Sequence, residues 1–180
     1  MRVECWVISD ALYSLPLGMM ERITFTSIGV IRSNFKQASG TPIQGGAAMD
    51  IASSIEIFDE FKEGLSDLEG FSHIILLYYF HLTSGFSLKV VPFLDSEERG
   101  VFATRAPRRP NSIGFTVVEV TSIQGNIIHF SGTDMIDGTP VLDIKPYVPI
   151  FDQREECRTG WLEGNIHKLP ALKDDGRFTK

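Results

Sequence analysis

The pattern of apolar and polar residues makes the body of this chain read mostly as short strands. Residues 22–32 carry Ile23, Phe25, Ile28, Val30 and Ile31 among polar neighbours and predict a first strand; residues 53–58 predict a short second one. Between them, residues 34–50 turn to Gln, Gly, Ser, Pro and Ala around Thr41-Pro42-Ile43-Gln44-Gly45-Gly46. A loop of that length inside a compact domain usually carries function or is disordered. Residues 60–68 fit one or two helical turns with Phe61, Leu65 and Leu68 on one face. Residues 72–81 hold the continuous apolar run Ile74-Ile75-Leu76-Leu77-Tyr78-Tyr79-Phe80, which predicts a strand covered on both sides or a central barrel strand. Residues 88–93 and 100–104 are further strand candidates. Residues 113–123 and 127–133 flank Gln124-Gly125-Asn126, a hairpin signal. Residues 141–148, interrupted by Pro146, predict the last strand. Beyond Pro149 the chain turns polar, with Trp161 and Leu162 as packing anchors.

Many short strands, one helical stretch and no helix–strand rhythm argue against a doubly wound parallel sheet and for an all-β or β-rich barrel. The chain has 180 residues, 43% of them hydrophobic, 11% aromatic and 22% charged, enough for one domain with its own core. Disorder, collagen, coiled coil and a disulfide framework are excluded by the same figures. Cys5 and Cys157 are far apart and form no Cys-x-x-Cys pair, so the reducing cytoplasm is the simplest compartment. No apolar run reaches the roughly 18 residues that span a bilayer. Glu4 and Asp10 interrupt any signal-peptide core, while Met19 and Met20 directly precede the start of regular patterning. Residues 1–20 are therefore expected to be an N-terminal extension or a start-site artefact, 21–150 the barrel domain and 151–180 a C-terminal tail. Net charge is −6 with a pI near 5.2, so any RNA-binding surface must concentrate its positive charge locally.

Common cofactor fingerprints are missing: no G-x-G-x-x-G follows a strand, and no G-x-x-x-x-G-K-[ST] or G-x-S-x-G occurs. His73, His81, His129 and His167 never fall at metal-ligand spacing, so no metal is expected. His81 stands apart because it ends the most apolar strand, where side chains often line a site. Two segments look too particular for plain surface loops. Gly100-Val101-Phe102-Ala103-Thr104-Arg105-Ala106-Pro107-Arg108-Arg109-Pro110-Asn111 sets three arginines on a backbone stiffened by two prolines. Forked guanidinium groups on a rigid loop suit carboxylates or phosphates; a solvated basic turn is the plainer reading. The second segment is Asp134-Met135-Ile136-Asp137-Gly138-Thr139-Pro140, followed by Val141-Leu142-Asp143-Ile144-Lys145-Pro146-Tyr147. Its Asp-Gly-Thr-Pro is a turn whose carboxylate can cap backbone amides, and Asp143 with Lys145 can be a surface ion pair. The residues alone name no reaction.

Taken together, these segments resemble the TsaA-like (YaeB/VirR) family, whose characterised members are TrmO tRNA methyltransferases. Ile28-Gly29-Val30-Ile31-Arg32-Ser33, Phe71-Ser72-His73 and Phe80-His81 add to the likeness, which spans about residues 22–150. The resemblance implies a mainly β fold, a single-sheeted β-barrel with a short helix and loop-rich flanks. It also implies S-adenosyl-L-methionine as cofactor, a homodimer, and methylation of threonylcarbamoyladenosine in the tRNA anticodon loop. By position, Gly45, Gly46 and Ala47 match the early loop that touches the cofactor. His81 and Leu82 match the strand-end pair lining it, Arg105 the signature arginine, and Phe115 a further contact. Ser131, Gly132, Thr133 and Asp134 match the segment holding the rest of the ligand. Arg108, Arg109, Asn111, Asp137 and Lys145 are the candidate substrate-binding residues.

Three departures from the family pattern stand out. Asn111-Ser112-Ile113-Gly114 lacks the proline of the usual Asn-Pro-Ile-Gly, and Gln44-Gly45-Gly46 replaces Gln-Pro-Gly. The chain also ends about thirty residues after the barrel, too few for the additional C-terminal domain of longer bacterial relatives. The implied chemistry is direct methyl transfer to nitrogen, governed by alignment and desolvation. Asp134 and Asp137 are candidate bases, neither selected by spacing, and no catalytic residue is assigned. Tyr147, Phe102 and Phe115 are possible stacking surfaces for bases of a single-stranded loop. The alternatives are a methyltransferase of a small metabolite and a non-catalytic cofactor-binding module.

Overall fold

In the computed structural model, which describes residues 22–43 and 51–179, the alternating segments become strands β1 (Gly29–Arg32), β2 (Ala52–Ile57), β3 (His73–Tyr79), β4 (Lys89–Val90), β5 (Arg99–Gly100), β6 (Ile113–Gln124), β7 (Ile127–Ser131) and β8 (Pro140–Pro146). Six of them close into a barrel in the order β1-β2-β7-β6-β3-β8, every pairing antiparallel. Closure falls to β8, which pairs with β3 from Ile74↔Pro146 to Tyr78↔Val141 and with β1 at Gly29↔Val141. Gly29 permits this meeting, because a Cβ there would lie 2.6 Å from the Glu56 carbonyl oxygen on β2. The expected N-terminal extension and the loop residues Gly45, Gly46 and Ala47 lie outside the described residues.

Alternate side chains of each strand fill the barrel: Ile31, Ile55, Ile74, Leu76, Val118, Ile128, Phe130 and Val141 are all buried. The apolar run of β3 is thus a barrel-wall strand, not one covered on both sides. Ile75 and Leu77 point outward, half-buried, beside Val117 and Phe115 of β6. A two-residue turn joins β6 to β7, with Gly125 at φ +65°. Asn126 fastens it by donating its side-chain amide to the Ile57 carbonyl at 2.7 Å.

Several expected elements are shorter. The first strand covers only Gly29–Arg32, because residues 22–28 meet no regular ladder; Ile23 and Phe25 are 71% and 59% exposed. The candidates at 88–93 and 100–104 shrink to a two-residue ladder, Lys89↔Gly100 and Val90↔Arg99, and Val101–Ala103 winds into a 3-10 turn. The predicted helical turns form as 3-10 helices at Asp59–Leu65 and Leu68–Gly70, burying Leu65 and Leu68. A short α-helix, α1 (Pro149–Asp152), follows the last strand.

Antiparallel order sends the long connections to one end. Arg32 pairs with Ser54, Tyr79 with Ile113 and Ala52 with Ser131, so the chain after residue 32, the chain before residue 52, and segments 80–112 and 132–139 all lie at the same mouth. The C-terminal segment starts at the far end, where the Tyr147 N–H donates to the His73 carbonyl at 3.1 Å, yet its last residues reach the mouth. There Phe178 buries itself with Val90, Val101 and Ala106, and Arg177 lies 4.8 Å from the Phe93 ring centroid. Backbone bonds from Gly40 N to Asp174 O (2.7 Å) and from Asp174 N to Thr41 O (2.8 Å) tie the segment to the 33–43 loop. What the sequence presents as a polar tail is thus exposed through residues 149–160 and then docks at the mouth as a strap, through Trp161, Asp174 and Phe178.

At the mouth, Tyr78 faces Gly114 across β3 and β6, and a Cβ on Gly114 would fall inside the Tyr78 ring. Gly114→Ala is expected to displace that ring and lower stability by about 1–3 kcal/mol, the cost of overpacking. A urea midpoint equal to wild type would contradict this account of the Tyr78 position.

Candidate functional site

The mouth encloses a cleft of about 930 Å³, within the range of small-molecule sites. Its walls come from five places: the end of β3 and the chain just past it, the arginine loop leading into β6, the turn before β8, the C-terminal strap, and the loop after β1, which adds Ala38, Thr41, Pro42 and Ile43. Tyr78, His81 and Leu82 line the first wall, and Arg105, Arg109 and Asn111 the second. Asp134 and Thr139 line the third, and Trp161 and Asp174 the fourth.

The arginine loop is held by its own short bonds. The Thr104 hydroxyl donates to Val101 O (2.9 Å), Arg109 Nη1 donates to Thr104 O (3.1 Å), and Val101 N donates to Leu88 O (3.0 Å). Such bonds fix guanidinium groups in place before a ligand arrives, which lowers the ordering cost of binding. Arg105 lies 5.6 Å from the centroid of the Phe115 ring, a cation–π pair inside the cleft. Arg105, Asp134 and Tyr78 also feel one another's charge. Burial, and then the Asp134 carboxylate, push the Tyr78 phenol well above its ordinary range, with Arg105 pulling the other way. Tyr78 is therefore a neutral hydroxyl at any working pH.

Burial lowers the titration of His81 from its ordinary value of 6.5, so the imidazole is uncharged at neutral pH. Its Nδ1 lies 3.4 Å from the Thr139 hydroxyl, which already donates to Ile136 O at 2.7 Å. Only a lone pair of that hydroxyl remains for His81, which favours the Nδ1–H tautomer and leaves Nε2 basic. Asp174 is raised by burial, partly offset by the Gly176 N–H that its carboxylate accepts at 2.6 Å. Arginines, carboxylates, a neutral imidazole and aromatic faces thus converge in one space. That set can grip a zwitterionic ligand and a flat ring together.

Of the residues singled out from sequence, His81, Leu82, Arg105, Phe115, Asp134, Arg109 and Asn111 meet in this cleft. Ser131, Gly132 and Thr133 are not among its lining residues. Ser131 donates to Glu119 at 3.4 Å, Gly132 takes φ +85°, and the buried Thr133 hydroxyl accepts from Met135 N at 3.2 Å. They shape the turn that carries Asp134. Arg108 is also outside the lining, with its Nε buried and without a hydrogen-bond partner among the described residues. Asp137 accepts from Ser33 N at 3.1 Å and pairs with Lys36 Nζ at 2.9 Å, which makes it a clamp on the loop after β1 rather than a base in the cleft. Lys145 pairs with Asp143 at 2.6 Å on exposed surface. Among the described residues, no group of three or more His, Cys, Asp or Glu side chains is arranged to hold a metal. Sequence reasoning named Trp161 and Leu162 only as packing anchors and did not single out Tyr78, Thr139, Asp174 or Phe178 for the site; an isolated Trp, Asp and Phe in a polar stretch carry no periodic signal.

Comparison with known proteins places this geometry. Residues 30–153 match the tRNA-methyltransferase O N-terminal domain family. A probable S-adenosyl-L-methionine-binding protein of Pyrococcus abyssi is 54% identical over 156 residues, covering 87% of this chain and 85% of that one. The mouse tRNA (adenine(37)-N6)-methyltransferase is 37% identical over 151 residues, 80% of this chain and 34% of that protein. The crystal structure of TrmO from Pseudomonas aeruginosa superposes with a TM-score of 0.66 at 38% identity. That superposition covers 78% of this chain and 63% of that one, so this chain spans less than two thirds of the Pseudomonas protein and about a third of the mouse protein.

The His81 environment is directly measurable. In an NMR titration its ring protons are expected to report a midpoint acid of 6.5, because burial penalises the charged form. A midpoint at or above that value would overturn the neutral-imidazole assignment.

Proposed function

The chain belongs to the tRNA-methyltransferase O N-terminal domain family, and from that premise and the cleft we propose that it is an S-adenosyl-L-methionine-dependent methyltransferase that N-methylates threonylcarbamoyladenosine in the tRNA anticodon loop. The observation that carries the reading is the convergence of Arg105, Phe115, His81 and Asp134 in a cleft of about 930 Å³. S-adenosyl-L-methionine combines a carboxylate, an ammonium, ribose hydroxyls and an adenine ring. The residues present suit each: a guanidinium for the carboxylate, Asp134 for cationic or hydroxyl groups, and aromatic and apolar faces for the ring. When bound, the cofactor supplies an electrophilic methyl carbon on a cationic sulfur.

The chain's own contribution is positioning. Arg105 and Phe115, with His81, Leu82 and Asp134, form the cofactor side; Arg109 and Asn111 form the substrate side. Arg109, anchored on Thr104 O, is placed for the anionic group of the substrate. The neutral His81, with Nε2 free to accept, and Asp134 are the cleft groups able to take up the proton of the acceptor nitrogen. The barrel unit of 21–150 carries these groups, and the strap of 151–180 closes the cleft over them. Tyr79, Leu82, Phe86, Leu88, Phe102 and Phe115 expose apolar surface, which supports a homodimer that covers part of it. The proposed compartment is the cytoplasm; among the described residues, no helix is long and apolar enough to cross a membrane.

Labelled S-adenosyl-L-methionine with bulk tRNA tests the proposal. Transfer is expected on threonylcarbamoyladenosine, and Arg105→Ala should weaken cofactor binding about 10- to 100-fold, the worth of hydrogen bonds to a charged group. Arg32→Ala, which removes only a surface pair with Glu56, should leave both untouched. Intact cofactor binding without any transfer to tRNA would redirect the substrate to a metabolite; no cofactor binding would sink the proposal.

A further inference from the structure

Trp161 is the part of the cleft that neither the family match nor the cofactor set accounts for. It lies in the strap, beyond residues 30–153 of the matched family, yet its half-buried indole lines the cleft. Its Nε1–H donates to the Ala103 carbonyl at 2.8 Å. The next carbonyl, that of Thr104, accepts from Arg109 Nη1 at 3.1 Å. Successive carbonyls of one stiff loop therefore anchor a flat aromatic ring and a guanidinium, both of which line the cleft. On the strap side, Asn165 donates to Trp161 O at 3.2 Å and accepts from Lys168 Nζ at 2.7 Å, which fixes the backbone beneath the indole. Phe102, one residue before Ala103, also lines the cleft and is 76% exposed.

An aromatic ring with its edge N–H already satisfied and a cation alongside suits a nucleic-acid base with a neighbouring anionic group. Single-stranded RNA offers that combination, because unstacked bases lie down on aromatic faces while phosphates or carboxylates meet arginine. We propose that Trp161 is a substrate-positioning residue: its indole face stacks the target purine of single-stranded RNA, while Arg109 takes the adjacent anion. This deepens the methyltransferase reading and rests on it. It assigns the strap a share in substrate recognition that the barrel loops alone do not supply.

Trp6 and Trp161 are the two tryptophans of the chain, so a Trp6→Phe protein reports on Trp161 by fluorescence. Three probes are titrated: S-adenosyl-L-methionine alone, an anticodon-loop oligoribonucleotide with its central adenosine, and the same oligonucleotide abasic at that position. Quenching is expected with the adenosine-containing RNA and not with the abasic one. Equal quenching by both RNAs would reduce the contact to charge, and saturating quenching by the cofactor alone would assign the indole to the cofactor; either overturns the proposal. In turnover, Trp161→Ala is expected to raise KM for tRNA about tenfold, the lower part of the range for one stacked base. Its kcat and cofactor affinity should stay within about twofold. Trp161→Phe keeps a flat face without the N–H and should retain most of the wild-type KM. If Phe fails as badly as Ala, the indole is only a strap anchor and the proposal falls. Because quenching needs no turnover, absence of tRNA methylation in the wild type would sink the tRNA-methylation reading while quenching still judges the stacking.

Discussion

Everything at the functional end depends on β8 serving two neighbours at once. Val141 must pair with Gly29 on one side and Tyr78 on the other, and that double ladder closes the barrel. With the sheet closed and every pairing antiparallel, the chain has only two ends at which to turn. The chain after residue 32, the chain before residue 52, and connections 80–112 and 132–139 share one of them, while the far end holds residues 58–72 and the tight hairpin at Gly125. Long loops are thus gathered by topology before any of their residues make contact. Small residues set the tolerances: Gly29 lets three strands meet, and Gly114 gives the Tyr78 ring its place.

Charge is then resolved locally. A chain with a net charge of −6 presents Arg105 and Arg109 to the cleft on a loop that bonds to itself. Those arginines sit beside Asp134, Asp174 and a neutral His81, so the cleft is mixed and not simply basic. Sequence-independent attraction to a phosphate backbone scales with the number of neutralised phosphates, and an acidic chain with few arginines at its mouth supplies little of it. Discrimination must come mainly from shape, stacking and a few directed bonds.

How far the sequence carried follows from the kind of signal each element leaves. β6 and β7 were legible from their runs of strand-forming residues, with Gln124-Gly125-Asn126 marking the turn between them, and β3 from its unbroken apolar run. The first strand was overread: Ile23 and Phe25 fit the pattern, but a pattern becomes a strand only where a ladder partner exists. The bulge between Val120 and Ser122 left no trace, since register depends on the partner strand. The arginine loop was legible as chemistry because three guanidinium groups between prolines are hard to explain otherwise. Asp137 and Lys145 were read as substrate contacts from their motif, and the fold spends them on a loop clamp and a surface pair.

The strap shows why the remainder was hidden. Trp161, Asp174 and Phe178 are scattered through a polar stretch, and their meeting is fixed by the distance the chain must travel along the barrel, not by any local spacing. Phe178 buries itself between Val90, Val101 and Ala106, so the strap and the arginine loop order each other. The three mouth loops leave barrel strands that lie within residues 30–153, whereas the strap wall is built from residues beyond them. A barrel of this kind therefore takes part of its cleft wall from a segment that is not itself a barrel strand or a connection between barrel strands. The physical requirement on that segment is modest: one buried aromatic, Phe178, to dock it, and one indole, Trp161, held at the cleft by the Ala103 carbonyl.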